Sequence, residues 1–548
     1  MRFLRGTATL IALVGATTLG AQDHQHGGAG GRSGIPDTAG LGEVSFPNSG
    51  AAAAQGPFLR GLALLHNFEY EDAADAFQDA ERRDPAFALA FWMEALTYRH
   101  GVWGTEDLES ARGALARLGP DAEARLARAR TPRERAFGAT VEALFAQAPE
   151  PQRVRAWADS LRRLAAAEPD DPEWATFAAI AIMDSFRWLR GLERARARDE
   201  SAALAQRAFE AHPRHPGAAH FVIHANDDPV HAPLAERAAR AYAQIAPSTD
   251  HALHMPSHIF VQLGAWDDAV AANERSWAAS RAWVSRRQAP NAHNSWHTLS
   301  WLQYAYLQQG RMRAARALID TARALLGARS DTIRGIDVRF AVAELEFMYG
   351  ANGGSWSGTP PAIVALEPSA RASSFETRAL YQRAVVARLR GETATADEAA
   401  RRFRAVADSL QSQPNARGLL ASARLLEALA ALRGADRAHA LELLRSAAAG
   451  DTIAPLGPPY RLLAGEVLGA ELLKDRQGAE AAAAYEQVLR MCPRRSSALL
   501  GLARAKRMAG DPAGAAAAYR ELLVNWRKAD ADLPALAEAR SGAALAAR

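Results

Sequence analysis

Cysteine is almost absent from this 548-residue chain, where Cys492 stands alone. No internal disulfide can form, so the fold has to be held by packing. Lysine is nearly as rare: Lys474, Lys506 and Lys528 are the only ones among 65 Lys and Arg residues, and the net charge is a modest +4. No local basic run is interleaved with aromatic residues, which sets nucleic-acid binding aside. Strand-like alternation is scarce throughout, so the expected class is all-α. Motifs of several common chemistries are missing as well. There is no His-Glu-x-x-His zinc-protease sequence, no phosphate-binding glycine loop ending in lysine, and no Gly-x-Ser-x-Gly nucleophile elbow.

The apolar run from Ala8 to Leu19 is too short to cross a bilayer. With Arg2 and Arg5 before it and Ala21 after it, it reads as a secretory signal peptide over residues 1–21. No cysteine follows that could carry a lipid anchor. The expected mature protein is periplasmic or extracellular and has no membrane span. Residues 22–57 are rich in Gly, Ala and Ser and are expected to form a flexible linker.

From Phe58 the pattern turns to helical hairpins. Gly61, Ala73, Phe77, Ala80 and Pro85 supply small residues that let two antiparallel helices approach, an aromatic that fills the gap, and a proline that stops the second helix. Leu468, Gly469, Ala481, Tyr485 and Pro493 repeat that order, and Leu502, Ala515 and Tyr519 repeat it 34 residues further on. Pro213 and Pro247 lie 34 apart in the middle of the chain. This period is that of tetratricopeptide repeats (TPRs), and the chain resembles that family from about Phe58 to about Trp526. The segments Phe58-Leu59-Arg60-Gly61, Leu64-Leu65-His66 and Phe68-x-Tyr70, followed by His254-Met255-Pro256-Ser257-His258, are similar to a group of exported bacterial TPR proteins with a His-rich central block. The resemblance implies a TPR-type helical-hairpin solenoid wound as a right-handed superhelix, with a concave groove for a peptide or protein partner. Ala351-Asn352-Gly353-Gly354-Ser355 and Pro360-Pro361 mark a break. The expected organisation is an N-terminal solenoid over residues 58–348, a linker or long loop over 349–375, and a C-terminal solenoid over 376–548.

Histidine is concentrated, with ten of the 15 lying between His212 and His297. His220 and His224 are four apart, and His254 and His258 repeat that spacing 34 residues later. Residues four apart on a helix share a face, with Cβ atoms roughly 5–6 Å apart. Adjacent helices pack with axes roughly 8–10 Å apart, so imidazoles from two repeats can converge on one ion or two. His293 and His297 form a third pair, shifted in register by an insertion. The expected metal ligands are therefore His220, His224, His254, His258, His293 and His297, with Asp228 as a carboxylate ligand or as a partner that orients an imidazole. His66, Trp92, His100, Asp227 and His251 are expected to line the same groove. Several neutral imidazoles with carboxylates suit zinc, copper or iron better than calcium or magnesium. Pro256 raises a difficulty, because proline belongs in the first turn of a helix and would leave His254 at the cap.

Two functions fit this pattern. One is a scaffold that binds a peptide or protein partner in its groove and carries a histidine metal site there. The other is a metal-dependent hydrolase or oxidoreductase, in which an open coordination position activates water or oxygen. A scaffold needs a continuous open groove, whereas an enzyme needs an open coordination position inside a closed pocket. A lone histidine on such a face is ordinarily a polar packing residue, and it is the in-register pairs that point to metal.

Overall fold

The helical hairpins begin and end for identifiable reasons. The helix Tyr70–Arg83 has Glu71 and Asp72 in its first turn and Arg82 and Arg83 in its last, as the helix dipole favours. Thr131 and Glu134 close a capping box at the start of Pro132–Leu144. Within hairpins, glycine sets the spacing. A Cβ at Gly61 would lie 2.7 Å from the Phe77 ring, and one at Gly469 would lie 2.6 Å from Tyr485. The computed structural model describes residues 39–326, 332–333, 336–337, 339–353, 374–410, 416–434, 436–451 and 457–544. Among these, the only strands are two short antiparallel ladders, Arg99–His100 with Thr105–Glu106 and Thr332–Ile333 with Ile336–Asp337. The chain is an all-α, TPR-type helical-hairpin solenoid. No described helix is long and apolar enough to cross a membrane. The expected signal peptide and most of the expected 349–375 loop lie outside the described residues.

The segment read as a flexible linker differs from expectation where it is described. Leu41 and Phe46 are buried, and the stretch between them straps successive hairpins together. Gly40 accepts a bond from the Ser248 amide, and the Glu43 amide donates to Arg214. The Ser49 amide then donates to the Glu134 carboxylate at 2.7 Å. Phe46 sits edge-on to Phe58, Phe137 and Trp174, with the Arg133 guanidinium over its ring. The small residues around it conceal this single anchoring aromatic from a reading of composition.

Two buried clusters run through the molecule, one from Leu41 to Met348 and one from Ala343 to Ala539. The helix Arg339–Ala351 belongs to both, presenting Val342, Leu345 and Met348 to the first and Ala343 and Phe347 to the second. The C-terminal repeats then fold back on the histidine-bearing region. Arg495 donates to the Tyr304 hydroxyl at 3.1 Å, and Ser496 bonds Gln308 through both its amide and its hydroxyl. Trp266 donates to the Arg494 carbonyl, and Lys528 and Arg527 pair with Asp267. Gly457 lies flat against the Trp301 ring, and Tyr460 bonds Ser300 at 2.8 Å.

Gly264 is a sensitive point of this docking. Its φ is +64°, and a Cβ there would sit 2.6 Å from the Arg494 side chain and 2.9 Å from the Pro493 carbonyl. Gly264→Val is expected to destabilise the protein by about 1–3 kcal/mol through overpacking, beyond the cost of a β-branched residue at positive φ. Scanning calorimetry should show the C-terminal repeats melting as a separate, earlier transition. A single unshifted transition would mean that this contact does not couple the two parts.

Candidate metal centre

Four helices deliver six imidazoles to one place. His220 and His224 lie on Pro216–Ala225, His251 and His254 on Asp250–His254, His258 on Pro256–Leu263, and His297 on Trp296–Gln308. Pro256 does not disrupt the arrangement. Met255 before it is helical (φ −53°, ψ −36°), so the helical path runs through while Pro256 takes the first position of the next helix. His254 and His258 therefore keep their common face, with Nε2 atoms 3.2 Å apart. The six rings form two trios, His220–His224–His251 and His254–His258–His297. Within each, one potential ligand atom per residue lies within 4.8 Å of the others.

Hydrogen bonds behind the rings decide which nitrogen carries the proton. His220 Nδ1 is 2.7 Å from the His66 carbonyl, which can only accept. His258 Nδ1 is 2.7 Å from one Asp227 carboxylate oxygen, while the other accepts from the Gln262 amide. His254 Nδ1 is 2.7 Å from Asn273 Oδ1, whose orientation follows because the Asn273 amide nitrogen donates to the Ala269 carbonyl. Each of these three rings must therefore donate from Nδ1, which leaves Nε2 with a lone pair. At His220 this causes no conflict, since His251 can donate across the 3.1 Å between their Nε2 atoms. Between His254 and His258, two neutral rings so fixed would present lone pair to lone pair. A cation placed between them removes the conflict. Two further nitrogens, His224 Nε2 and His297 Nδ1, are buried with no hydrogen-bond partner.

A third cluster nearby shows what a balanced arrangement looks like. His66, Glu173 and His215 are buried together. His66 Nε2 lies 2.8 Å from one Glu173 oxygen and His215 Nε2 lies 3.1 Å from the other. His215 Nδ1 accepts from the Ala218 amide, so its Nε2 donates to the carboxylate. Burial alone would raise the Glu173 pKa, but the two imidazoles outweigh it and hold the carboxyl well below the usual range. Donors and acceptors match here without a cation.

Aromatic rings pack around the six-histidine site, in which His220 and His254 are buried and the other four histidines half-buried. Phe68 packs on His220, His224 and His251 with ring centroids 4.3–5.6 Å away. It adopts a left-handed backbone (φ +60°), uncommon for an aromatic residue. Trp103 stands edge-on to His251, and Trp301 covers His258 at 4.2 Å and also packs against Gly457. Burial, reinforced by the neighbouring imidazoles, pushes His224, His251, His254 and His297 well below the ordinary histidine pKa. Burial also drives His220 down to about 3, against the raising effect of its bond to the His66 carbonyl. These rings stay neutral at physiological pH, the protonation state in which imidazole ligates metal.

The structure brings together His220, His224, His254, His258 and His297, and adds His251, which was expected only to line a groove. It does not bring in His293 or Asp228. His293 sits in the turn Asn291–His293, ahead of the helix that carries His297, and stacks on Trp283. The long helix Trp266–Arg287 displaces it from the register of the other pairs. Asp228 holds the turn before the next helix by accepting from the Val230 and His231 amides and pairs with the His231 ring, while Asp227 turns toward His258. Three residues expected to line the groove are buried elsewhere. His66 belongs to the Glu173 cluster. Trp92 is fully buried and donates to Glu142, and His100 stacks on Tyr70. Asn273 was not legible in the sequence, because nothing in its local pattern marks a partner for His254. Phe68, by contrast, lies within the segment on which the resemblance rests.

The histidine pKa shifts imply a pH dependence for the metal-free protein. Unfolded chains take up protons below about pH 6.5 that the buried imidazoles exclude, so stability falls as pH drops through that value and, for His220, on toward about 3. Each such histidine contributes up to about 1.4 kcal/mol of lost stability per pH unit in that window. Urea midpoints of chelator-treated protein at about pH 7.5 and about pH 5.5 should differ steeply. Equal midpoints would show that these rings are not buried neutral.

No protein-family model matches the chain, and no curated protein matches it. Among solved structures, the human IFIT1 dimer with PPP-AAAA is similar at a TM-score of 0.36 and 11% identity, covering 86% of this chain and 90% of that one. Ypp1 is similar at a TM-score of 0.36 and 8% identity, with 86% and 88% covered. Likeness at this level carries no inference about ligand or chemistry.

Proposed function

We propose that this helical-repeat protein is an exported metalloprotein that holds zinc, copper or iron on His220, His224 and His251 and on His254, His258 and His297. The observation that carries this reading is the facing pair of Nε2 lone pairs on His254 and His258, each fixed by an acceptor behind its ring. Three imidazoles per group leave a coordination position open, the arrangement of a catalytic rather than a closed structural site. The bound ion would act as a Lewis acid or redox centre. The chain's own part is to orient the rings through Asn273, Asp227 and the His66 carbonyl, and to exclude water with Phe68, Trp103 and Trp301. A metal-dependent hydrolase or oxidoreductase fits better than a peptide groove, because His66, Trp92 and His100 are buried and cannot line an open one.

Metal content of the purified protein, measured by mass spectrometry, tests this. Near-stoichiometric zinc, copper or iron is expected, with a large drop in a His224→Ala, His258→Ala double variant of unchanged helicity. Asp227→Asn should weaken metal affinity about 10–100-fold, the usual cost of losing a partner behind a ligand. A folded protein that binds none of the three metals after reconstitution would sink the proposal and leave a proton shared between His254 and His258.

A further inference from the structure

The two trios are neighbours. The His224 and His258 rings lie 6.2 Å apart, and those of His251 and His254 lie 6.5 Å apart. Neither trio contains a carboxylate, and Asp227 reaches a ligand ring only from behind, at Nδ1. Six neutral ligands among packed aromatic rings bear on the charge the site can hold. Charge is expensive in an apolar interior unless it is compensated. Two divalent ions would bring four positive charges against the one Asp227 carboxylate behind His258, whereas two copper(I) ions bring two, and imidazole is a good donor to copper.

A small cavity lies close to the first trio. A cavity of about 40 Å³ lined by Leu65, His66, Phe68, Tyr70 and the Arg99–Asp184 pair shares Phe68 with the surroundings of the first trio, although none of the six histidines lines it. A cavity needs only about 10–15 Å³ to hold a water-sized molecule, so this one admits small molecules. Most of its exposed lining is apolar, with the Arg99–Asp184 ion pair as the charged part, so it can hold a small uncharged molecule beside Phe68.

Resting on the reading that these histidines hold metal, we propose that the two trios form one dinuclear copper centre that binds dioxygen between its ions. The step balances without another reactant. Each copper(I) gives one electron to dioxygen, the O–O π bond is lost, and a peroxide dianion bridges two copper(II) ions. No proton is taken up, and the bridging dianion offsets the charge that the oxidised pair gains.

The test uses the full chain, stripped with chelator, loaded with copper(I) under nitrogen and then exposed to oxygen. Two copper ions per chain and one dioxygen per copper pair are expected. The copper(II) electron paramagnetic resonance signal should be absent, because the bridged spins couple. His224→Ala and His297→Asn remove a ligand from different trios, and each should slow oxygen uptake at least tenfold and restore a mononuclear copper(II) signal. If either variant fails to fold, the stoichiometry and resonance signal of the unmodified protein decide the matter alone. One copper per chain, or two with full paramagnetic intensity, would overturn the dinuclear centre while leaving a metal site. No copper, zinc or iron at all would remove the metal reading itself.

Discussion

A neutral imidazole has two nitrogens and one proton, and a dry interior supplies no water to make up the difference. Much of this molecule's centre can be traced to that constraint. Where Glu173 faces His66 and His215, one carboxylate accepts from both rings, and no two lone pairs are set against each other. Where Asn273 and Asp227 claim the δ protons of His254 and His258, the ε nitrogens are left facing each other with nothing to share. These clusters have similar composition and opposite hydrogen-bond balance. The balance, rather than the number of histidines, separates a structural cluster from a candidate centre.

The solenoid supplies both the rings and their isolation. Hairpins set close by glycines such as Gly61 and Gly469 hold successive helices at nearly constant spacing, so rings from different repeats can meet. Isolation then comes from far along the chain. Trp301 covers His258, and Gly457 packs against Trp301. Arg495 and Ser496 pin that part of the C-terminal repeats to Tyr304 and Gln308. The C-terminal repeats are therefore part of the wall of the site as well as a second array. At the opposite end, the strap through Leu41 and Phe46 ties the first hairpins to those near Arg214 and Ser248.

Much of this was legible in the residues. Helical class, the hairpin pattern at both ends and the pairing of His220 with His224 and His254 with His258 all depend on local spacing, which a helix converts directly into geometry. Reading failed where a choice turned on side-chain direction. Asp227 and Asp228 are adjacent and chemically identical, yet one supports His258 and the other caps a turn. His293 and His297 have the same spacing as the true pairs, but a turn before the helix separates them. His66 and His100 keep the repeat distance and end in different environments, one on Glu173 and the other stacked on Tyr70.

Sequence alone was enough for what depends on the period of the chain: an all-α repeat, its small-residue hairpins, and histidines placed one turn apart on the same face. The tertiary structure decided what depends on contacts between residues distant in sequence. It recruited His251, set aside His293, chose Asp227 over Asp228, set Asn273 behind His254, and buried His66, Trp92 and His100 away from the six histidines. Periodicity is written into every turn of a helix. Which proton sits on which nitrogen is determined only when the neighbouring helices arrive.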